Sequence, residues 1–320
     1  MGSVHQDSPA AAVEPVHDAA KPLEVVPLRH PGRWVATIVL LVLAAKAGQT
    51  IVTNPRFQWS VVGQYFFSST IMDGLVLTLV LTVISMAIGI VGGLVLAIMR
   101  LSPNPIVAGC GQGYVWLFRG TPVLVQLILW YYLQALFPQL SVGIPFGPTF
   151  ATFEANNVIT PFMAALLGLG LNEAAYMSEI FRSGLLSVDH GQSEAATALG
   201  MTRTLALRRI IIPQAMRVII PPTGNEVIGM LKTSSLASVV ALHELLYSSQ
   251  IIYSRTFQTI PLLIVASLWY VIVTTVLSFG QQFLEKYFGR GVGGSAQQRR
   301  STFSSMLRPL LRTSRIGAAA

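Results

Sequence analysis

The chain has 320 residues, of which 11% are charged and 52% hydrophobic, with a mean hydropathy of +0.61. A soluble domain carries about 25% charged residues, so too few charges are present to cover a soluble surface of this size. The composition excludes a disordered chain, a collagen-like chain and a disulfide scaffold, and it favours an integral membrane protein. The net charge of +8 does not point to nucleic acid. Thirteen of the 34 charged residues lie in the tails 1–33 and 289–320, and no stretch interleaves bases with aromatics. The one cysteine, Cys110, reads as a small buried apolar residue.

Residues 1–33 carry Pro9, Pro15, Pro22, Pro27 and Pro31 and read as a disordered cytoplasmic tail without the pattern of a secretory signal. Six apolar spans follow. Trp34–Thr53 is long enough to cross about 30 Å of hydrocarbon, with Lys46 near its far end. Gly74–Met99 has no charge, and Tyr114–Phe137 has only Arg119. Val158–Leu186 is interrupted by Asn172, Glu173, Glu179 and Arg182, and Gln214–Lys232 holds Pro221, Pro222, Glu226 and Lys232. Thr256–Leu284 is again free of charge.

The loops give the orientation. Loop 138–157 has no Lys or Arg, whereas 187–213 has Arg203, Arg208 and Arg209, and the C-terminal tail 286–320 is basic. Basic loops stay on the cytoplasmic side, so both termini and the 187–213 loop are expected there. The basic tail reads as a solvated topogenic segment, with contact to anionic membrane lipid as the sharper alternative.

Within that loop, Asp189 is placed to cap a helix, with Gln192 at its third position. Gly200 sits where the helix stops, at a position that often needs φ > 0. A second helix is expected from Thr202 to Ile212, with Pro213 marking a break or a new start. The series Gly191-Gln192, Glu194-Ala195-Ala196, Gly200, Ile210, Ile212 and Pro213 resembles the EAA loop of binding-protein-dependent ABC importer permeases. Those permeases more often have Leu at the position of Ile212.

Other segments are similar to the polar amino acid branch of that family. They are Gly74-Leu75 with Thr78-Leu79, Arg119-Gly120-Thr121-Pro122 with Gln126, Asn172 with Ala174-Ala175-Tyr176, Glu179 to Arg182, Pro213-Gln214-Ala215, Asn225, and Lys232 to Leu236. The resemblance covers roughly 70–285. After Lys232 the family usually has an acidic or amide residue, where this chain has Thr233 and Ser234.

The resemblance implies an all-α integral membrane protein of the cytoplasmic (inner) membrane. Its core would be the five-helix type I ABC importer permease fold (MetI-like), with 34–53 as one extra N-terminal transmembrane helix. It implies a dimer with the same or a related permease, two copies of an ABC ATPase subunit, and an extracytoplasmic binding protein that delivers a polar amino acid or an opine. ATP and Mg would sit on the ATPase, with no cofactor on this chain and no enzyme activity of its own. The first short helix of the loop would seat in a groove of the ATPase, with Ala195, Ala196 and Ala198 allowing close approach.

Charges inside spans usually face a cavity or partner. Glu226 and Lys232 are six residues apart, about 600° of helical rotation, so they face different sides. With Thr233, Ser234, Asn172, Glu173 and Gln126 they are the candidates for a substrate path; structural hydrogen bonding is the competing role. Glu179 and Arg182 read as a helix-surface pair, and Arg119 as an anchor or packing residue.

The stretch Gly224–Gly229 before Lys232 looks like a phosphate loop but has the wrong spacing, and no His-Glu-x-x-His motif exists. Gly89 and Gly93 are spaced for close helix packing. A secondary transporter or channel working without an ATPase is the alternative function, but no internal repeat supports it. An intramembrane enzyme lacks a nucleophile and base pair.

Overall fold

The computed structural model describes residues 31–144 and 147–288. The tail 1–30 and the basic residues from 289 onward lie outside that range.

The chain divides after Asn54. The first unit contributes one helix, α1 (Pro31–Thr53), apolar around its circumference, in which Thr37, Thr50 and Thr53 return their hydroxyls to carbonyls four residues back.

The second unit starts with a short 3-10 turn at Pro55–Phe57 and α2 (Trp59–Phe66). Next come α3 (Ser69–Arg100), α4 (Pro105–Gly120) and α5 (Val123–Leu136). The expected single span Tyr114–Phe137 is therefore two helices. Pro122 has no N–H to continue α4, and Thr121 and Pro122 are extended. Gln126 secures the break: its Nε2 donates to Phe118 O at 2.9 Å and to Thr121 O and Oγ1 at 3.2 and 2.7 Å.

Strands β1 (Gln139–Gly143) and β2 (Thr149–Glu154) form an antiparallel hairpin, an addition to the all-α expectation. The Thr-Phe-Ala-Thr-Phe run suits a pleated ribbon. A helical turn, α6 (Ala155–Val158), leads into α7 (Pro161–Leu186), which starts with Thr160 Oγ1 accepting from Met163 N. Beyond it lie α8 (His190–Ala198), α9 (Arg203–Ala206), a π turn (Leu207–Ile211) and α10 (Ile212–Thr233). A 3-10 segment at Ser234–Val240, α11 (Leu245–Thr256) and α12 (Thr259–Phe288) complete the described chain.

Three described helices are long and apolar enough to cross a membrane: Gly32–Thr53, Ser69–Arg100 and Thr259–Phe288. The other helices that pack with α3 are shorter or carry charges inside them.

Packing centres on α3 against α7. Gly89 and Gly93 lie where a Cβ would collide with Glu173 and Met177, and at Gly92 a Cβ would come within 2.9 Å of Ala174. The glycines thus set a close backbone approach. Leu81 and Met86 of α3, Leu127 of α5, Leu169 and Met177 of α7, and Met230 of α10 fill one core. A second core joins Val62, Ile71, Leu75, Leu245, Leu262 and Val265. At its edge the buried Glu244 accepts from Leu246 N and Tyr247 N at the start of α11 and from Tyr270 OH.

Candidate functional site

The loop between α7 and α10 is built from local chemistry. Asp189 Oδ1 accepts from Gly191 N at 2.7 Å, which satisfies an orphan donor at the start of α8. The Gln192 side chain does not turn back on this cap; its Oε1 accepts from Gln214 Nε2 at 3.3 Å and ties α8 to α10.

At the other end of α8, Gly200 has φ +72°. Gly200 N donates to Thr197 O at 2.9 Å, and Met201 N to Ala196 O at 3.0 Å. These two bonds make a Schellman cap, which needs a left-handed residue at the glycine. Ala196 is buried, while Glu194, Ala195 and Leu199 face outward, with Leu199 80% exposed.

Thr202 starts the next helix by accepting from Leu205 N at 3.4 Å. That helix does not end at Ile212. It passes through the π turn, where Ile210 is half-buried, and continues with Pro213 in the first turn of α10. The wider π turn gives room where the Pro213 ring would press on the carbonyl four residues back.

The second site is a cavity of 190 Å³ between α7 and α10, with Val123 of α5 at its side. Helix α7 supplies Leu169, Asn172, Glu173 and Tyr176; α10 supplies Glu226, Gly229, Met230 and Thr233. Each set has the i, i+3, i+4, i+7 spacing of one helix face. Glu173 is 5% exposed, and its Oε1 has no hydrogen-bond partner. Asn172 Nδ2 donates to Phe118 O at 2.9 Å and to Gln126 Oε1 at 3.2 Å. Two carboxylates and no base line this space, so it suits a cation rich in N–H donors.

Of the sequence candidates, Asn172, Glu173, Glu226 and Thr233 come together here. Gln126 stands behind Asn172 as the clamp of the helix break. Lys232 is elsewhere, in a 300 Å³ cavity with Ser235, Ser267 and Tyr270. Ser234 is buried and donates to Leu231 O at 2.7 Å.

Sequence reasoning missed Arg100. Glu179 pairs with Arg182 at 3.1 Å, but also with Arg100 at 2.9 Å and Arg119 at 3.5 Å. Arg119 in turn lies over the Tyr176 ring, 5.1 Å from its centroid. A basic residue closing an apolar span reads as a topological anchor, so nothing in the sequence separated Arg100 from that role.

Residues 89–290 match the family described as binding-protein-dependent transport system inner membrane component. The chain belongs to this family. As such a permease, it is 43% identical over 294 residues to the arginine transport system permease protein ArgU of Corynebacterium glutamicum, covering 91% of this chain and 89% of that one. It is 39% identical to the nopaline transport system permease protein NocM of Agrobacterium fabrum, covering 70% of this chain and 92% of that one. Among solved structures, an amino acid ABC transporter crystallised with histidines is 34% identical, with a TM-score of 0.60 over 70% of this chain and 97% of that chain. A chain of the MetNI methionine ABC transporter has the same fold at 18% identity, with a TM-score of 0.52 over 68% of this chain and 96% of that chain. The permease thus has the MetI-like core plus the additional N-terminal helix α1.

Proposed function

We propose that this permease forms the translocation path of an ATP-driven importer whose cargo is an amino acid with a basic side chain, or an opine built on one. The cavity lined by Glu173 and Glu226, with no Lys or Arg among its lining residues, carries this reading. A guanidinium or ammonium entering it gives the partnerless Glu173 Oε1 a donor, and Asn172 and Thr233 add polar contacts beside it. The arginine and nopaline permeases among its relatives support the same class of cargo.

In this reading an extracytoplasmic binding protein delivers the cargo, and two copies of a separate ATPase hold ATP and Mg. The permease works as a dimer, with itself or a related permease, and both termini and the 187–213 loop face the cytoplasm. Gly191, Gln192, Glu194, Ala195, Ala196, Gly200, Ile210 and Pro213 form the coupling element. The outward Glu194, Ala195 and Leu199 meet the ATPase, and the Schellman cap holds α8 at a fixed angle to the helix that follows. Lys232 and Ser234 lie outside the cavity and act elsewhere in the fold.

The test is uptake by the complex reconstituted with its ATPase and binding protein, supplied with labelled arginine, ornithine, glutamine and histidine. Glu226→Gln and Glu173→Gln are each expected to lower arginine uptake about tenfold relative to glutamine, as a charge-assisted bond of about 1.5–3 kcal/mol becomes a neutral one. Unchanged preference and affinity in both variants would sink the assignment.

A further inference from the structure

A third cavity, of 360 Å³, lies at the end of the helices nearest the 187–213 loop and is lined by Arg100, Ala108, Gly109, Gln112 and Arg182. No acidic residue lines it. Arg100 closes α3, α4 starts five residues later, and Arg182 is one turn from the end of α7. A 32-residue helix is about 48 Å long against a hydrocarbon core of about 30 Å, and its charge-free run 74–99 ends immediately before Arg100, which puts that end of α3 at the headgroup level.

The donors there outnumber the protein's own acceptors. Arg100 Nε donates to Gln112 Oε1 at 3.0 Å, its Nη1 to Ser178 Oγ at 3.2 Å and its Nη2 to Glu179 Oε1 at 2.9 Å. Arg182 spends Nε and Nη2 on Glu179 Oε2, at 3.2 and 3.1 Å. Arg182 Nη1 and the Gln112 amide nitrogen have no acceptor among the described residues. One carboxylate, Glu179, stands against three guanidiniums. The small Ala108 and Gly109 leave the space in front of these donors open.

We infer that this cavity binds an anionic phosphate ester, through the Arg182 and Arg100 guanidiniums and the Gln112 amide. A guanidinium presents paired N–H groups at the spacing of phosphate oxygens. Basic cavities between membrane helices at headgroup depth take acidic phospholipid headgroups. A free phosphate offers the same oxygens, so the source is decided by measurement.

The full-length permease, purified with its ATPase subunit, is titrated with phosphatidylglycerol, phosphatidylcholine or inorganic phosphate, and bound ligand is counted by native mass spectrometry. Wild type is expected to retain phosphatidylglycerol in preference to phosphatidylcholine. Arg182→Gln weakens this about fivefold, the worth of one basic residue near an anionic surface. Gly109→Leu keeps every charge and fills the cavity; a Cβ there meets nothing within 4 Å, so the helix itself is undisturbed. It is expected to weaken retention as well. Competition by inorganic phosphate at similar concentration assigns the site to the free ion, and its absence assigns it to the lipid. The basic tail contributes equally to all variants. Equal binding of phosphatidylglycerol and of phosphate by wild type, Arg182→Gln and Gly109→Leu overturns the inference.

Discussion

Gly200 offers a sharp test of how the loop works, because its constraint is purely conformational. At φ +72° a Cβ meets no other atom within 4 Å, so a side chain fits and only the backbone objects. Holding an L-residue left-handed costs about 1–2 kcal/mol, and more for a β-branched one, whereas Asn takes that conformation readily. If the turn relaxes, the bonds from Gly200 N and Met201 N are lost, and α8, nine residues long, loses the cap that defines its end. A cost of 1–2 kcal/mol corresponds to about a 5–30-fold drop in the docking-competent population. Gly200→Val is therefore expected to reduce uptake and transport-coupled ATP hydrolysis by at least that factor in proteoliposomes, with normal insertion. Gly200→Asn should stay within about twofold of wild type. If Asn is as damaging as Val, the position is constrained by a partner's surface and the φ argument is wrong. If Val behaves as wild type, the cap does not matter to coupling.

Glu179→Gln should lower the thermal stability of the purified permease by about 2–4 kcal/mol, since it strips the carboxylate from the 6%-exposed Arg100 while Glu179 itself is 28% exposed. The double variant with Arg100→Gln should recover part of that loss; a double variant that is simply additive contradicts the coupling. Gly89→Ala drives a Cβ into Glu173 and should destabilise by about 1–3 kcal/mol in a denaturation series, while Gly113→Ala, where nothing lies within 4 Å, should be neutral or stabilising. Tyr270→Phe removes one hydrogen bond to Glu244 at about 1 kcal/mol. Glu244→Ala also orphans Leu246 N and Tyr247 N and should cost clearly more; equal shifts in melting temperature would show that the cap contributes nothing.

Features set by a few neighbouring residues were legible from the sequence. The Asp189 cap and the left-handed Gly200 follow from the chemistry of single residues, and their geometry in the structure is as that chemistry demands. The phase argument that turned Glu226 and Lys232 to different sides fits the separate cavities they line. What escaped depended on distant partners or on patterns hidden by apolar composition. The break at Thr121–Pro122 was visible in the proline, but the unbroken hydropathy of 114–137 argued for one span, and only Gln126 reaching back to Phe118 shows how the gap is closed. The hairpin lay in a charge-poor loop where alternation is weak. Arg100 meets Glu179 across 79 positions, a relation no local pattern encodes. The continuity of α9 into α10 depends on the π turn, which leaves no periodic trace.

A π turn accommodates one residue more than the α repeat, so everything beyond Ile211 is rotated by about 100° from the course the earlier turn would have set. The azimuth at which Glu226 meets Glu173 is therefore fixed by a surplus residue in the loop, several turns away along one unbroken helix. Removing a single residue from Leu207–Ile211 would leave composition and hydropathy almost untouched, yet it would swing the carboxylate of α10 out of alignment with its counterpart on α7. Aligned chains that differ by one position in this stretch differ in helical phase, and their α10 residues should be compared by direction as well as by column.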